Sequence, residues 1–246
     1  MSLAGKRVLI TGGGSGAGAD LARGFARAGA EVVIAGRRRD ALAATTSQHG
    51  EIRAITADVT QETDVKRLFA EAGDIDIVIA NAGAAESAPL TRTSLDQWNA
   101  MMAVNLTGVF LTFREGLMQM KGWGRLIAIA SIAGLKGYAY VAPYAAAKHG
   151  VVGLTKSLAL EVAKKPVTVN AICPGFLDTE MTERSIAHIM EKTGRSKAEA
   201  LESLVSLNPQ KRLITPAEVT ATALWLCAEG SESVNGQAIA LSGGEA

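Results

Sequence analysis

The sequence is poor in the residues that mark several large classes of protein. Its 246 residues include two cysteines, six prolines and only 4% aromatic residues. Cys173 and Cys227 lie far apart in apolar surroundings and form no CxxC pair, so we expect buried reduced thiols rather than a disulfide. His49, His149 and His188 are scattered along the chain, so the sequence predicts no metal site.

Charge of one sign and long apolar runs are also missing. Lys plus Arg number 25 against 24 Asp plus Glu, so no overall field favours nucleic acid or an anionic membrane as a partner. No apolar run reaches the ~18 residues that a membrane-spanning helix needs, and the first residues lack the apolar stretch of a signal peptide. The sequence therefore predicts a cytoplasmic protein that binds neither nucleic acid nor membrane.

Short β-branched runs alternate with longer helical patterns along the whole chain. The runs are continuously apolar, which is typical of strands that are buried on both faces. They are RVLIT, EVVIAG, IRAITAD, IDIVIAN, RLIAIAS, VTVNAI and QAIAL. The alternation predicts an α/β fold, a doubly wound parallel sheet of about seven strands with helices on both faces. No repeat or linker divides residues 1–246, so we expect a single domain.

The stretch of residues 179–212 has a helical pattern and no strand of its own. One interpretation is a structural helical appendage. Because the stretch follows the carboxyl end of a strand, where ligand sites form in sheets of this kind, we favour a mobile lid over a substrate pocket.

A glycine-rich turn, GGGSGAG, stands between the first strand and the first helix. Residues without a Cβ let backbone amides approach a pyrophosphate, and the helix N-terminus adds a partial charge of roughly +0.5. A structural glycine turn is the alternative, but the position between a strand and an amphipathic helix favours dinucleotide binding. The expected contacts are Gly12, Gly14, Ser15, Gly16, Ala17 and Gly18.

The end of the second strand bears on which dinucleotide binds. An acidic residue usually holds a free ribose 2′-hydroxyl at this position, but here Gly36 stands there, followed by Arg37, Arg38 and Arg39. Glycine leaves room for a 2′-phosphate, and the guanidinium of Arg37, or of Arg38, would form charge-assisted hydrogen bonds with it. The alternative is a solvated run of arginines, with Asp40 capping the next helix. We favour NADP(H), with NAD(H) as the other option.

Tyr144 and Lys148 stand four residues apart in PYAAAKHG. On a helix that begins near Ala142 they share a face, about 6 Å apart along the axis. At an effective dielectric constant of ~20 the ammonium group favours the phenolate by about 3 kcal/mol, which predicts a tyrosine pKa of ~8 and a usable acid or base. The spacing alone also fits an ordinary helix surface.

Two further polar residues belong with this pair. Ser131 ends the fifth strand, where its hydroxyl would hold a substrate carbonyl oxygen while Tyr144 protonates it. Asn105 lies in an otherwise apolar helical pattern, where it is either functional or a satisfied buried amide.

An ordered set of motifs now covers essentially the whole chain. It comprises T-G-x-x-x-G-x-G at residues 11–18, D-V at Asp58 and Val59, N-A-G at residues 81–83, Asn105, Ser131, Y-x-x-x-K at residues 144–148, and P-G at Pro174 and Gly175 with Thr179 beyond. This set resembles the short-chain dehydrogenase/reductase family, which implies a Rossmann-like fold. Ser15 departs from the pattern of many NADP-dependent relatives, which carry a basic residue there.

The resemblance implies a role for each member of a tetrad. Tyr144 would be the proton donor or acceptor and Ser131 would orient the substrate. Lys148 would bind the nicotinamide ribose and Asn105 would hold a relay water. The resemblance adds as cofactor contacts Asp58, Val59, Asn81, Ala82, Gly83, Tyr144, Lys148, Pro174, Gly175, Phe176 and Thr179. It also implies a homodimer or homotetramer that pairs through helices at about 94–118 and 144–163.

The reaction implied by this resemblance is reversible hydride transfer between NADP(H) and a secondary alcohol or ketone. Substrate choice would lie with residues 132–141, including Tyr138 and Tyr140, and with the 179–212 lid. The lid and the ending GGEA look similar to those of reductases of 3-oxoacyl thioesters, so a 3-oxoacyl or 3-hydroxyacyl thioester is the first expectation. A free ketone, sugar or cyclic alcohol is the second. A non-catalytic nucleotide sensor or scaffold is the alternative from a different class.

Overall fold

Seven strands and nine helices occupy residues 2–47 and 51–246, the part of the chain that the computed structural model describes. The strands are β1 (Arg7–Thr11), β2 (Glu31–Gly36), β3 (Ile52–Thr56), β4 (Ile77–Ala80), β5 (Gly124–Ile129), β6 (Val167–Pro174) and β7 (Ala238–Leu241). The helices are α1 (Gly16–Arg27), α2 (Arg39–Thr46), α3 (Glu62–Ala72), α4 (Leu95–Met102), α5 (Gly108–Gln119), α6 (Ala142–Glu161), α7 (Glu180–Thr193), α8 (Lys197–Val205) and α9 (Pro216–Trp225). His49 lies outside the described residues.

The seven strands form one sheet in the order β3-β2-β1-β4-β5-β6-β7, and every neighbouring pair is parallel. In this register Val8 of β1 lies between Val32 of β2 and Ile77 of β4. The strand order changes direction between β1 and β4, and a cleft forms at the carboxyl ends of the strands at such a point. The predicted single-domain α/β fold with a doubly wound parallel sheet is confirmed.

Successive side chains of each central strand point to opposite faces of the sheet and pack into two different hydrophobic cores. Val8 and Ile10 pack with Phe25 on the face that α1 and α9 cover, whereas Leu9 packs with Phe113 on the face of α3, α5 and α6. These side chains are essentially inaccessible to solvent, and burial of each contributes about 1.5–3 kcal/mol. This two-sided burial explains why the strands are apolar at every position rather than at every second one.

The long helix predicted at about 94–118 is interrupted. It consists of α4, a π-helical segment at Ala103–Thr107, and α5. The side-chain amide of Asn105 donates to the Met101 carbonyl oxygen at 3.1 Å, the acceptor that an α-helix would reserve for a backbone N–H. A side chain inserted into the hydrogen-bond ladder widens the turn, and sequence periodicity does not reveal such an insertion. The second long helix, expected at 144–163, is α6.

Both cysteines, Cys173 and Cys227, are buried and free, as expected. Among the described helices none is both long enough and apolar enough to cross a bilayer.

Candidate active site

The turn between β1 and α1 is built on close backbone contacts. Gly12 has a φ of +68°, and a Cβ placed there would lie 2.8 Å from the Ala82 Cα. A Cβ on Gly18 would lie 2.1 Å from the Gly12 carbonyl oxygen. The glycines therefore let the first turn of α1 pack against the end of β4. No side chain of the described residues caps the N-terminus of α1, so its amides fit an anionic group such as a pyrophosphate.

The N-A-G motif joins the carboxyl ends of β1 and β4. The Asn81 side-chain amide donates to the carbonyl oxygens of Thr11 and Gly12, at 3.0 and 3.2 Å. The Thr11 hydroxyl accepts from the backbone N–H groups of Asn81 and Ala82, both at 3.1 Å. These bonds fix the floor of the cleft at the position where the strand order changes direction.

The arginines after β2 lie in two different environments. The Arg38 guanidinium donates to the Ser15 hydroxyl at 3.2 Å, so two predicted cofactor residues meet across the turn. Arg37 lies 4.0 Å from the Asp58 carboxylate, and 73% of its side chain is exposed. The Asp58 carboxylate also accepts from the Thr60 hydroxyl at 2.8 Å. The structure therefore directs Arg38, more than Arg37, towards the glycine-rich turn.

Ser131, Tyr144 and Lys148 come together at the end of β5. Ser131 begins the 3-10 turn Ile132–Gly134, and Tyr144 and Lys148 lie on one face of α6. A Cβ on Gly134 would be 2.6 Å from the Lys148 carbonyl oxygen, so this glycine lets the turn approach α6 closely. The Lys148 Nζ donates to the Ile129 carbonyl oxygen at 2.9 Å and lies 5.5 Å from the centre of the Tyr144 ring.

The protonation of this cluster differs from the expectation. Burial raises the pKa of Tyr144 above its ordinary value, although the Ser131 hydroxyl opposes the shift. Burial also lowers the pKa of Lys148 to about 8, with Cys173 acting in the opposite direction. The predicted tyrosine pKa of ~8 is therefore wrong, because the prediction counted the ammonium charge and left out the desolvation of both groups.

Asn105 lies on the π-helical segment and is fully buried. Its amide nitrogen donates to the Ala84 carbonyl oxygen at 2.9 Å, and its oxygen accepts from the Ala84 N–H at 3.3 Å. A Cβ on Gly83 would lie 2.8 Å from the Asn105 oxygen and 3.7 Å from the Lys148 Nζ. The amide is thus satisfied within the chain and is separated from the lysine by one glycine. The relay role of Asn105 stays a prediction.

The P-G stretch and the predicted lid follow β6. The Gly175 N–H donates to the Leu241 carbonyl oxygen at 2.9 Å, which joins the stretch to β7. Thr179 precedes α7, and a Cβ on Gly16 would lie 3.3 Å from its methyl group. The start of the predicted lid segment therefore lies over the N-terminus of α1. Helices α7 and α8 pack on each other through a small core of their own around Ile186 and Leu204.

The substrate-side loop, residues 132–141, makes a contact that sequence reasoning missed. The Tyr138 hydroxyl donates to the Glu245 carboxylate, and the Lys136 Nζ lies 3.1 Å from the same carboxylate. The Tyr138 hydroxyl is thus engaged within the chain, and its role towards a substrate stays a prediction. The backbone of Tyr140 has a φ of +67°, and its carbonyl oxygen accepts from the Ala88 N–H at 2.8 Å.

Comparisons with known proteins show the family of the chain. The chain matches the family model described as short chain dehydrogenase over residues 6–189. It is 35% identical to D-beta-hydroxybutyrate dehydrogenase of Rhizobium meliloti (strain 1021), covering 97% of this chain and 98% of that protein. It is 33% identical to the 3-oxoacyl-acyl-carrier-protein reductase of Aquifex aeolicus (strain VF5), covering 99% and 98%. A solved variant of actinorhodin polyketide ketoreductase with NADPH has a TM-score of 0.93 at 32% identity, covering 98% of this chain and 97% of that one.

Proposed function

Because the chain belongs to the short-chain dehydrogenase/reductase family, we propose that it transfers a hydride reversibly between NADP(H) and a 3-oxoacyl or 3-hydroxyacyl thioester. The chain is an oxidoreductase of this family. The observation that carries the proposal is the meeting of Ser131, Tyr144 and Lys148 at the edge where the parallel strands end. When bound, the nicotinamide ring supplies or accepts the hydride.

Three side chains transfer the proton and hold the substrate and the cofactor. Tyr144 is protonated at neutral pH, as its raised pKa requires, and it donates a proton to the carbonyl oxygen during reduction, when the ammonium group of Lys148 stabilises the phenolate that forms. The Ser131 hydroxyl holds the same oxygen in place. The Lys148 ammonium group holds the ribose and stabilises the phenolate that Tyr144 leaves behind. In the oxidation direction Tyr144 takes the proton back.

Two relatives favour a thioester substrate by their names, a 3-oxoacyl-acyl-carrier-protein reductase and a polyketide ketoreductase. A long acyl chain must also be shielded from water. Helices α7 and α8 form a layer beside the P-G stretch, and we propose that this helical layer acts as the lid. The second candidate substrate is a free ketone or hydroxy acid, which the relationship to a D-beta-hydroxybutyrate dehydrogenase favours.

A screen with both coenzymes tests the proposal. NADPH oxidation at 340 nm should be fastest with a short 3-oxoacyl-CoA, and kcat/KM for it should exceed that of the free 3-oxo acid and of cyclohexanone by about tenfold or more. A higher kcat/KM for a free ketone would contradict the thioester assignment. Tight NADPH binding with no turnover on any of the three would contradict catalysis itself.

The contact between Arg38 and Ser15 supports the proposed preference for NADP(H). It places a guanidinium group and a hydroxyl at the glycine-rich turn, and Gly36 at the end of β2 offers no carboxylate that would repel a 2′-phosphate. The solved relative with NADPH supports the same choice.

Gly36→Asp and Arg38→Ala should each lower the ratio of kcat/KM for NADPH to that for NADH. A hydrogen bond to a charged group contributes about 1.5–3 kcal/mol, so the expected decrease is about 10- to 100-fold. Steady-state kinetics with both coenzymes measure it. Arg39→Ala is the matched control, because this exposed arginine begins α2 one residue further on. Equal effects of Arg38→Ala and Arg39→Ala would contradict a phosphate site at Arg38.

The proposal also includes a homodimer or homotetramer in the cytoplasm. Large apolar side chains stay exposed on α4, α5 and α6, the helices expected to pair: Leu95, Phe110, Met118 and Leu160. We propose that a second copy of the chain covers these side chains, as in a symmetric oligomer.

A further inference from the structure

Residues 242–246, which we call the closing segment, touch three parts of the active site. The segment leaves β7 beside the P-G stretch, where the Leu241 carbonyl oxygen accepts from the Gly175 N–H. Its Gly243 packs on the end of the lid and its Glu245 contacts the substrate-side loop. One short segment therefore joins the parts of the chain that are expected to hold the nicotinamide and the substrate.

The contact with the loop is a partly buried ionic cluster. Glu245 keeps only 5% of its side chain exposed, and its carboxylate contacts both the Tyr138 hydroxyl and the Lys136 Nζ. The Lys136 Nζ also lies 3.4 Å from the Glu245 carbonyl oxygen and 5.1 Å from the centre of the Tyr138 ring. A carboxylate held by two donors at low exposure is fixed far more firmly than a surface ion pair.

The contact with the lid is a close backbone approach. Gly243 has a φ of +62°, and a Cβ there would lie 2.0 Å from the Asn208 side-chain oxygen. Asn208 is 7% exposed, and its amide donates to the Arg212 carbonyl oxygen at 2.9 Å. Asn208 and Arg212 lie at the end of the predicted lid, so the closing segment is wedged between the lid and the loop.

We propose that Glu245 is a positioning residue that determines substrate specificity by holding residues 132–141 against the closing segment. The loop carries a non-glycine residue at positive φ, Tyr140, and such a backbone persists only when its surroundings hold it. The bond to Ala88 holds it at one end and Glu245 holds it at Lys136 and Tyr138. Glu245 acts through these two side chains and not on the reacting atoms. The kinetic part of this proposal rests on the proposed function, whereas the structural part does not.

Hydrogen exchange of the protein without ligands tests the structural part. In Glu245→Ala, the amides of residues 134–136, which bond within the 3-10 turn, and the Ala88 amide should exchange about tenfold faster than in the unmodified protein. Glu245→Gln keeps an acceptor for the Tyr138 hydroxyl, so its exchange rates should lie between those of Glu245→Ala and those of the unmodified protein. Glu229→Ala, which removes an exposed acid before β7, is the control and should leave these amides unchanged. Unchanged exchange in Glu245→Ala would overturn the proposal, whatever the substrate proves to be.

Kinetics then separate positioning from general damage. Glu245→Ala should raise KM for the best substrate about tenfold, keep kcat within about threefold, and leave the Kd of NADPH within about twofold. Tyr138→Phe should reproduce most of the KM effect, and its effect should not add to that of Glu245→Ala. An equal loss of kcat and of NADPH affinity would overturn the assignment to specificity. If no ketone is reduced by the unmodified protein, the proposed function fails while the exchange result still decides the role of Glu245.

Discussion

Tyr144→Phe should reduce kcat about 10³-fold while the Kd of NADPH stays within about twofold. The substitution removes one oxygen atom and leaves the aromatic ring of this α6 residue in place. The Tyr144 hydroxyl carries its proton at neutral pH, since burial raises its pKa, and this proton is the one that a developing alkoxide takes up. In the variant no other donor of comparable acidity replaces it. Steady-state turnover with saturating NADPH and NADPH fluorescence titration measure the two quantities.

The kinetic constant that changes in Tyr144→Phe shows whether the hydroxyl acts as an acid or as a binding group. Loss of a transition-state interaction lowers kcat and kcat/KM together, whereas loss of a uniform binding contact raises KM alone. A Tyr144→Phe variant that keeps more than about a tenth of the turnover, with a raised KM, would show that the hydroxyl only binds the substrate. The melting temperature should stay close to that of the unmodified protein, because the aromatic packing is retained.

The sequence predicted the sheet and the location of the site for a clear physical reason. Each central strand is buried on both faces, so its apolar run is visible without any knowledge of the fold. The carboxyl ends of parallel strands all lie at one edge of the sheet, so Ser131 after β5 and the turn after β1 had to lie at that same edge. The spacing of Tyr144 and Lys148 then placed both on one helical face.

The missed features depend on contacts between distant parts of the chain. Tyr138 and Glu245 are 107 residues apart, and Arg38 and Ser15 are 23 apart, so no local pattern relates them. The only local signal for the first was the pair of glycines before Glu245, which turns the chain back. The tyrosine pKa was wrong for a related reason, since burial is a property of the assembled cluster and outweighs the nearby charge.

Lys148→Met should slow turnover and also stabilise the fold. Loss of one preorganised charge beside the reacting oxygen costs about 10²-fold in kcat. The Lys148 Nζ is buried with a pKa of about 8, below the ~10.4 of an exposed lysine, so folding at pH 7 works against protonation of this amine. Its removal should raise the free energy of unfolding by about 1–2 kcal/mol, after allowing for the lost bond to the Ile129 carbonyl oxygen. Urea denaturation at pH 7 measures this change.

The pH dependence of stability gives the same variant a sharper test. Between pH 8 and 9 the unfolded chain keeps the Lys148 proton while the folded protein loses it, so this group alone should add about 1 kcal/mol to stability. The two cysteines act in the opposite direction over the same range, because burial raises the pKa of Cys173 to about 11 and of Cys227 to about 12, whereas thiols of the unfolded chain ionise at about 8.5–9. From pH 8 to 9, Lys148→Met should therefore lose about 1 kcal/mol more stability than Lys165→Met, a variant at an exposed lysine that keeps both contributions. Equal changes in both variants would leave Lys148 charged in the folded protein well above pH 8. In that case the amine and the phenol would interact as the sequence first predicted, with attraction outweighing burial.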